Sequence, residues 1–432
     1  IEMKKKIHII TLGCSKNLVD SEVLMKQLDA SGYSVFHDQN FQKTDTVVIN
    51  TCGFIGDAKK ESVDTILQCV AEKEKGNIRK LFVMGCLSER YKEELKNEIP
   101  EVDGFFGVNQ FSDILKSLKA DYKKELIGER LLATPPHFAY LKISEGCNRK
   151  CSFCAIPLIR GKHQSRPIEQ LIREAELLSE KGVKELILIA QDLSYYGIDI
   201  YKKQTLDVLL QKLAEIKGLK WIRLHYLYPA NFPYEILPVI KEHENICKYL
   251  DVALQHISDP VLKNMRRGIS RSQTYQFIEK IRKEIPGIRL RTSLMTGHPG
   301  EGKKEFQELK QFVKDIAFDR LGVFVYSEEE GTYSAKNFKD NISLKVKKER
   351  MEEIMQIQQQ ISDTANSRMI GSKIKVLIDR EDNNYYFGRT EFDSPEIDNE
   401  VLIKKESKKL KSGNFYNITI TNAEEFDLFG KV

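Results

Sequence analysis

Cys147-Asn148-Arg149-Lys150-Cys151-Ser152-Phe153-Cys154 places three thiols within eight residues, spaced C-x3-C-x2-C. Thiolates this close can all face one point. A 4Fe-4S cube takes thiolate ligands, and three cysteines leave one of its irons free to bind a small molecule. The alternative is zinc, whose sites pair two C-x2-C knuckles or add histidines at set spacing. The nearest histidines, His137 and His163, fit no such pattern, so the spacing favours iron–sulfur.

The apolar run Tyr140–Ser144 leads into this motif. Five more strand candidates follow, at Glu185–Ala190, Trp221–Leu227, Leu250–Leu254, Arg289–Met295 and Leu321–Tyr326, with helical patterns between them. Six strand–helix units predict a partial parallel (β/α)6 barrel over residues 139–367, with its chemistry at the carboxyl ends of the strands. The cysteine motif follows the first strand. The other strand ends carry Gln191-Asp192, His225, Gln255-His256, Gly297-His298-Pro299-Gly300-Glu301 and Ser327. Each has a structural reading too: Asp192 caps a helix, His256 is a satisfied loop histidine, Gly297 and Gly300 make a turn. A long charged helix, 342–367, leads out of the barrel.

Upstream, residues 3–125 hold three apolar runs that each end in a cysteine. Ile7–Gly13 leads to Cys14, Thr46–Thr51 to Cys52, and Leu81–Gly85 to Cys86. Helical patterns at Asp20–Ser31 and Lys59–Glu74 lie between them, which predicts a parallel α/β sheet. Ligands bind beyond the carboxyl ends of such strands, where all three cysteines stand, so they read as a second metal constellation rather than as three ordinary core cysteines. Cys69 and Cys247 lack this placement and read as structural. Residues 126–138, with Pro135-Pro136, read as an extended linker. Downstream, residues 368–432 contain short strand candidates at Ile374–Ile378, Tyr385–Arg389, Glu400–Lys404 and Phe415–Thr421, a small antiparallel, OB-like β-barrel.

The 432 residues are 41% hydrophobic and 30% charged, a globular composition for two or three domains. No apolar run approaches the roughly 18–20 residues of a membrane span. The start runs directly into a strand pattern with no signal peptide, and Met3 reads as the natural start. Eight cysteines without a secretory signal predict a reducing cytoplasm and metal binding rather than disulfides. The net charge is +5, but Asp379–Glu400 holds eight acidic residues against two arginines.

The C-x3-C-x2-C motif resembles the signature of the radical S-adenosylmethionine (SAM) superfamily, whose open iron holds SAM and whose cluster electron splits it into methionine and a carbon radical. That resemblance implies SAM contacts at Phe153, near the adenine, and at Gln191, Asp192, Gly297 and Gly300; Phe153 reads equally as a core anchor. Leu12-Gly13-Cys14-Ser15-Lys16-Asn17-Leu18-Val19-Asp20-Ser21-Glu22 and Asn50-Thr51-Cys52-Gly53-Phe54-Ile55 resemble the amino-terminal domain of the methylthiotransferases. Those enzymes carry two 4Fe-4S clusters, and the resemblance implies that Cys14, Cys52 and Cys86 hold the auxiliary one, beside Cys147, Cys151 and Cys154 at the SAM cluster. The last domain resembles TRAM, which usually binds RNA.

Within that family, Gly13–Glu22, the acidic barrel segment and Ser327-Glu328-Glu329-Glu330-Gly331-Thr332 resemble the branch that adds methylthio to the β-carbon of an aspartate in ribosomal protein S-12. Glu391, Asp393 and Glu396 then read as an acidic face that steers a basic protein and repels RNA, although the cations from Lys404 to Lys411 leave RNA contact open. Arg160 reads as a partner for a SAM or substrate carboxylate, or as a solvated surface arginine. The implied partners are S-12 or the small ribosomal subunit and an external reductant protein, without stable nucleic-acid binding or a membrane. Two other functions stay open: a tRNA adenosine methylthiotransferase, and a non-catalytic iron–sulfur or zinc scaffold on the ribosome.

Overall fold

The computed structural model describes residues 5–37, 43–405 and 409–432; Met3 and Lys408 lie outside them. β1 (Lys6–Thr11), β2 (Ser34–His37), β3 (Thr44–Thr51), β4 (Ile78–Gly85) and β5 (Gly104–Phe106) form a parallel sheet in the order β2-β1-β3-β4-β5. Three of these are the apolar runs read from sequence. β2 and β5 were not among them, being only four and three residues long. The first helix, α1 (Ser15–Ala30), starts before the predicted Asp20 because its buried face is polar. Lys16, Asn17, Asp20, Ser21 and Glu22 are all buried, which hides the apolar period. α2 (Gly56–Glu74) and α3 (Cys86–Glu98) follow β3 and β4.

β6 (Phe138–Lys142) opens the second sheet. A short antiparallel hairpin, β7 (Ser144–Glu145) with β8 (Gln164–Ser165), pins the base of the loop that carries Cys147, Cys151 and Cys154. β9 (Glu185–Ile189), β10 (Trp221–Leu227), β11 (Ile246–Val252), β12 (Arg289–Thr296) and β13 (Arg320–Val325) complete it in the order β13-β12-β11-β10-β9-β6, with parallel pairing throughout. β6 and β13 do not pair with each other, so the barrel is open. Side chains alternate across it: Leu186 and Leu188 pack outward under the helices, while Ile187 and Ile189 face inward. Val19 of α1 joins Phe138, Tyr140, Ile187 and Ile189 in one cluster, so the first domain is seated on the barrel's inner face. The helix Leu344–Ser367 packs along β13.

β14 (Lys373–Glu381), β15 (Tyr385–Arg389), β16 (Glu400–Lys404), β17 (Phe415–Ala423) and β18 (Asp427–Lys431) close into a barrel in the order β14-β15-β16-β18-β17. The β16–β18 pairing is parallel, which corrects the expectation of a wholly antiparallel barrel. A closed ring with an odd number of strands cannot alternate direction at every contact. Among the described residues, no helix is long and apolar enough to cross a membrane.

Candidate functional site

Each cysteine of the first domain sits where a strand ends. Cys14 is the extended residue before α1, Cys52 follows β3, and Cys86 opens α3. The turns that deliver them are tight. Gly13 has φ +87°, and a Cβ there would stand 2.9 Å from Cys52 Sγ; Gly85, at φ +101°, would meet Thr51 O at 2.6 Å. Only glycine fits such positions without strain. The three thiols are electrostatic neighbours. Burial pushes the Cys52 thiol up and the Cys86 thiol up to about 12, with Cys14 adding to both and the Arg160 guanidinium opposing.

The second triad is arranged in the same way. Burial raises the Cys147 thiol to about 11, and raises Cys154 as well, with Cys151 contributing to both. Arg267 Nη1 donates to Cys151 Sγ at 3.2 Å, the Tyr228 hydroxyl lies 3.5 Å from the same sulfur, and Arg149 N donates to Cys147 Sγ at 3.4 Å. Donors of this kind stabilise thiolates and tune a metal centre held by them. Among the described residues no group of three or more His, Cys, Asp or Glu side chains is placed to hold a single metal ion.

The two triads back onto one interface. Cys86 packs in one cluster with Val108, Ala155 and Ile159, and Ala155 directly follows Cys154. Arg160, at the end of α5 (Ile156–Ile159), reaches across it. Its Nη2 donates to Asn17 Oδ1 at 2.5 Å and to Cys86 Sγ at 3.5 Å, and its Nη1 meets Glu145 at 2.9 Å and Asp20 at 3.2 Å. Lys142 bridges Asp20 and Glu145. Arg160 is 3% exposed, which corrects the solvated-arginine reading; its carboxylate partners are the protein's own. Against the burial that would raise it, Lys142 and Arg160 hold the Glu145 carboxyl down at about 2.

The predicted SAM contacts divide. Gln191 Nε2 donates to Glu145 at 2.9 Å, while its Oε1 is buried without a partner. Asp192 accepts from Ser194 N at 2.8 Å as a cap and from Arg149 Nε at 2.7 Å. Phe153 is half-buried, edge-on to the His298 ring with centroids 6.1 Å apart. Gly297 and Gly300, expected as close backbone contacts for SAM, are also tightly packed against the protein. A Cβ on Gly297 would run into the Lys347 side chain, and one on Gly300 would lie 2.5 Å from Asn264 Nδ2. The positive φ serves protein packing at both.

His298 Nε2 lies 3.1 Å from Ser334 Oγ and 3.4 Å from Ser152 Oγ, beside the cysteine loop. Burial lowers its pKa from 6.5 to about 4. The unfolded chain therefore takes up this proton first, and stability is lost progressively as pH falls from 6.5 towards 4. Denaturation midpoints across that window should show the fall, and His298→Gln should flatten it.

The acidic segment of the third domain is not a free face. Asp393 is 1% exposed and pairs with Arg320 at 2.5 Å. Asp398 accepts from Tyr249 Oη at 2.7 Å and faces Arg291 at 3.4 Å, and the Glu391 carbonyl accepts from Arg223 at 2.7 Å. The arginines on the barrel strands need counter-charges, and this loop supplies them. Of the three predicted substrate contacts, Glu391 is half-buried, Asp393 is buried, and Glu396 is exposed. Glu329, from the acidic run after β13, is likewise internal, bridging Lys59 and Arg90 of the first domain at 2.9 Å each. A cleft of about 670 Å³ opens on the third domain, lined by Lys373, Tyr386, Lys404, Phe415, Tyr416 and Lys431 among others. It lies at the amino end of the barrel strands, where Phe415 packs on Trp221, away from the cysteines.

Sequence reasoning missed Tyr228 and Arg267. Tyr228 lies just past β10 and Arg267 past the helix that follows β11, both in stretches without a motif, and only the fold brings them to Cys151.

Three sequence families match in series: the uncharacterized protein family UPF0004 over residues 6–107, the radical SAM superfamily over 141–313 and the TRAM domain over 370–432. The chain is 56% identical to ribosomal protein uS12 methylthiotransferase RimO of Phocaeicola vulgatus and 57% identical to its counterpart in Bacteroides fragilis. Each match spans 429 residues, 99% of both chains. The fold also resembles the radical SAM methyltransferase TsrM of Kitasatospora setae, with a TM-score of 0.54 and 14% identity over 75% of each chain.

Proposed function

The chain belongs to the ribosomal protein uS12 methylthiotransferases, a family of radical SAM enzymes, and from that membership we propose that it adds a methylthio group to the β-carbon of an aspartate in uS12. The observation that carries the reading is the packing of Cys86 against Ala155 and Ile159. It sets one cysteine triad directly behind the loop of the other, as a reaction that joins a radical to a sulfur requires.

In this reading Cys147, Cys151 and Cys154 hold one 4Fe-4S cluster, and Cys14, Cys52 and Cys86 hold another. When bound, the clusters and SAM supply the electron, the methyl group, the sulfur and the radical needed at an unactivated C–H bond, which side-chain acid–base chemistry cannot cleave. The residues fit these groups. Arg267 and Arg149 N donate to one set of sulfurs, with the Tyr228 hydroxyl beside them, and Arg160 serves the other. Buried polar atoms without protein partners, Gln191 Oε1, Arg149 Nη2 and Arg267 Nε, stand around the SAM loop. Gln191, with its unpartnered Oε1, and Phe153 would help to hold SAM there. The apolar contact of Val19 of α1 with Phe138, Tyr140, Ile187 and Ile189 would help to keep water from the site.

The partners in this reading are uS12, free or on the small subunit, and a cytoplasmic reductant protein. The lysine-lined cleft is what favours a second reading, modification of a tRNA adenosine. The test offers reconstituted, reduced enzyme both ribosomes and tRNA with SAM and sulfide. A methylthio mass increment is expected on the uS12 aspartate peptide. An increment on nucleosides alone, or no SAM cleavage, would defeat the proposal.

A further inference from the structure

Several cations around the two triads have anions of their own, and Arg267 has Cys151 Sγ and the Ala253 carbonyl as acceptors. Lys142 and Arg160 meet Asp20 and Glu145, and Arg149 meets Asp192. Lys16 is 8% exposed, yet among the described residues it has no carboxylate within ion-pairing distance and no hydrogen-bond partner. Its Nζ rests 3.3 Å from the centroid of the Tyr226 ring. An aromatic face attracts an ammonium but accepts none of its N–H hydrogens in an ordinary hydrogen bond. The side chain is therefore set up for an anion that the protein does not provide.

Its place says which anion. Lys16 is two residues from Cys14, in the first turn of α1, the helix that lies on the barrel's inner face. Tyr226 comes from β10 and holds φ at +63°, a conformation that a non-glycine residue keeps only where its surroundings impose it, most often at functional sites. The ammonium thus stands between the auxiliary triad and the barrel interior. Burial first, then the charges of Arg223, Arg291, Lys16 and Arg389, keep His225, next to Tyr226, well below its usual value.

If the proposed reaction at an aspartate holds, the carbon attacked is bonded directly to a carboxylate, which must be brought into this chamber with its charge. We propose that Lys16, seated on Tyr226, binds the side-chain carboxylate of the substrate aspartate and so selects aspartate over its neutral amide. It is a specificity residue supplied by the domain of the auxiliary triad, not by the barrel.

The test measures binding of uS12, and of uS12 with asparagine at the modified position, to the fully loaded enzyme with SAM and without reductant. Loss of a charge-assisted contact to a carboxylate corresponds to about a tenfold to hundredfold change. Wild type is expected to prefer the aspartate form by about that factor. Lys16→Met should bind both forms alike with iron and sulfide content unchanged, and Lys16→Arg should keep the preference. A preference that survives in Lys16→Met, or is absent in wild type, overturns the proposal. So does a Lys16→Met effect confined to the reduction potential of the auxiliary cluster, which would make Lys16 a tuning group. Adding reductant separates the two readings: wild type that shows the preference but never modifies uS12 defeats the proposed reaction and leaves the carboxylate site standing.

Discussion

Replacing Cys86 with alanine is expected to cost the reconstituted enzyme about half its iron, roughly four of eight atoms, and all methylthio transfer, while SAM cleavage persists. The reason is positional. Cys86 is the most enclosed of its triad at 5% exposed, receives the Arg160 donor at 3.5 Å, and packs on the loop of the other triad. Burial pushes its thiol up to about 12, so cluster loading must draw the proton off, and alanine leaves nothing to take its place. Cys154→Ala is expected to give the complementary loss, with SAM cleavage abolished. Iron and sulfide analysis with separate assays for SAM cleavage and for product distinguishes the pair. Retention of methylthio transfer in Cys86→Ala would end the two-cluster assignment.

Arg160→Met is expected to destabilise the chain by about 3 to 5 kcal/mol, the cost of breaking a buried ion pair from one side. Asp20 and Glu145 would then share Lys142 alone, and both carboxylates are largely enclosed. Because Asp20 belongs to the first domain and Glu145 to the barrel, the loss falls on their contact. Denaturant unfolding should move to a lower midpoint, and limited proteolysis between residues 126 and 138 should speed up. Lysine is not expected to rescue fully, since the fork of donors to Asn17, Asp20, Glu145 and Cys86 needs a planar guanidinium. A change within about 0.5 kcal/mol, the usual range for surface sites, would show the network to be incidental.

Arg160 also marks what a sequence conceals. In a linear reading it follows the cysteine motif and has no partner in view, because Asp20 and Asn17 lie about 140 residues away. The acidic stretch near residue 393 shows the same limit. Composition reveals a run of carboxylates but not that Arg223, Arg291 and Arg320 point at it from three different strands. Gly297 and Gly300 are a third case, since a positive φ signals a close approach without saying what approaches.

By itself the sequence determined the two cysteine triads, the strands that carry them and the division into a parallel sheet, an open barrel and a small closed barrel. These are local signals: thiol spacing, apolar runs of strand length, and turns that need glycine. Tertiary structure alone decided which charges are spent inside the protein and which are left over. Asp393 and Glu329 are used up in holding domains together, Tyr228 and Arg267 are delivered to Cys151, and Lys16 is left facing a ring. Charge pairing depends on distance through space, and the chain brings residues more than a hundred positions apart within 4 Å.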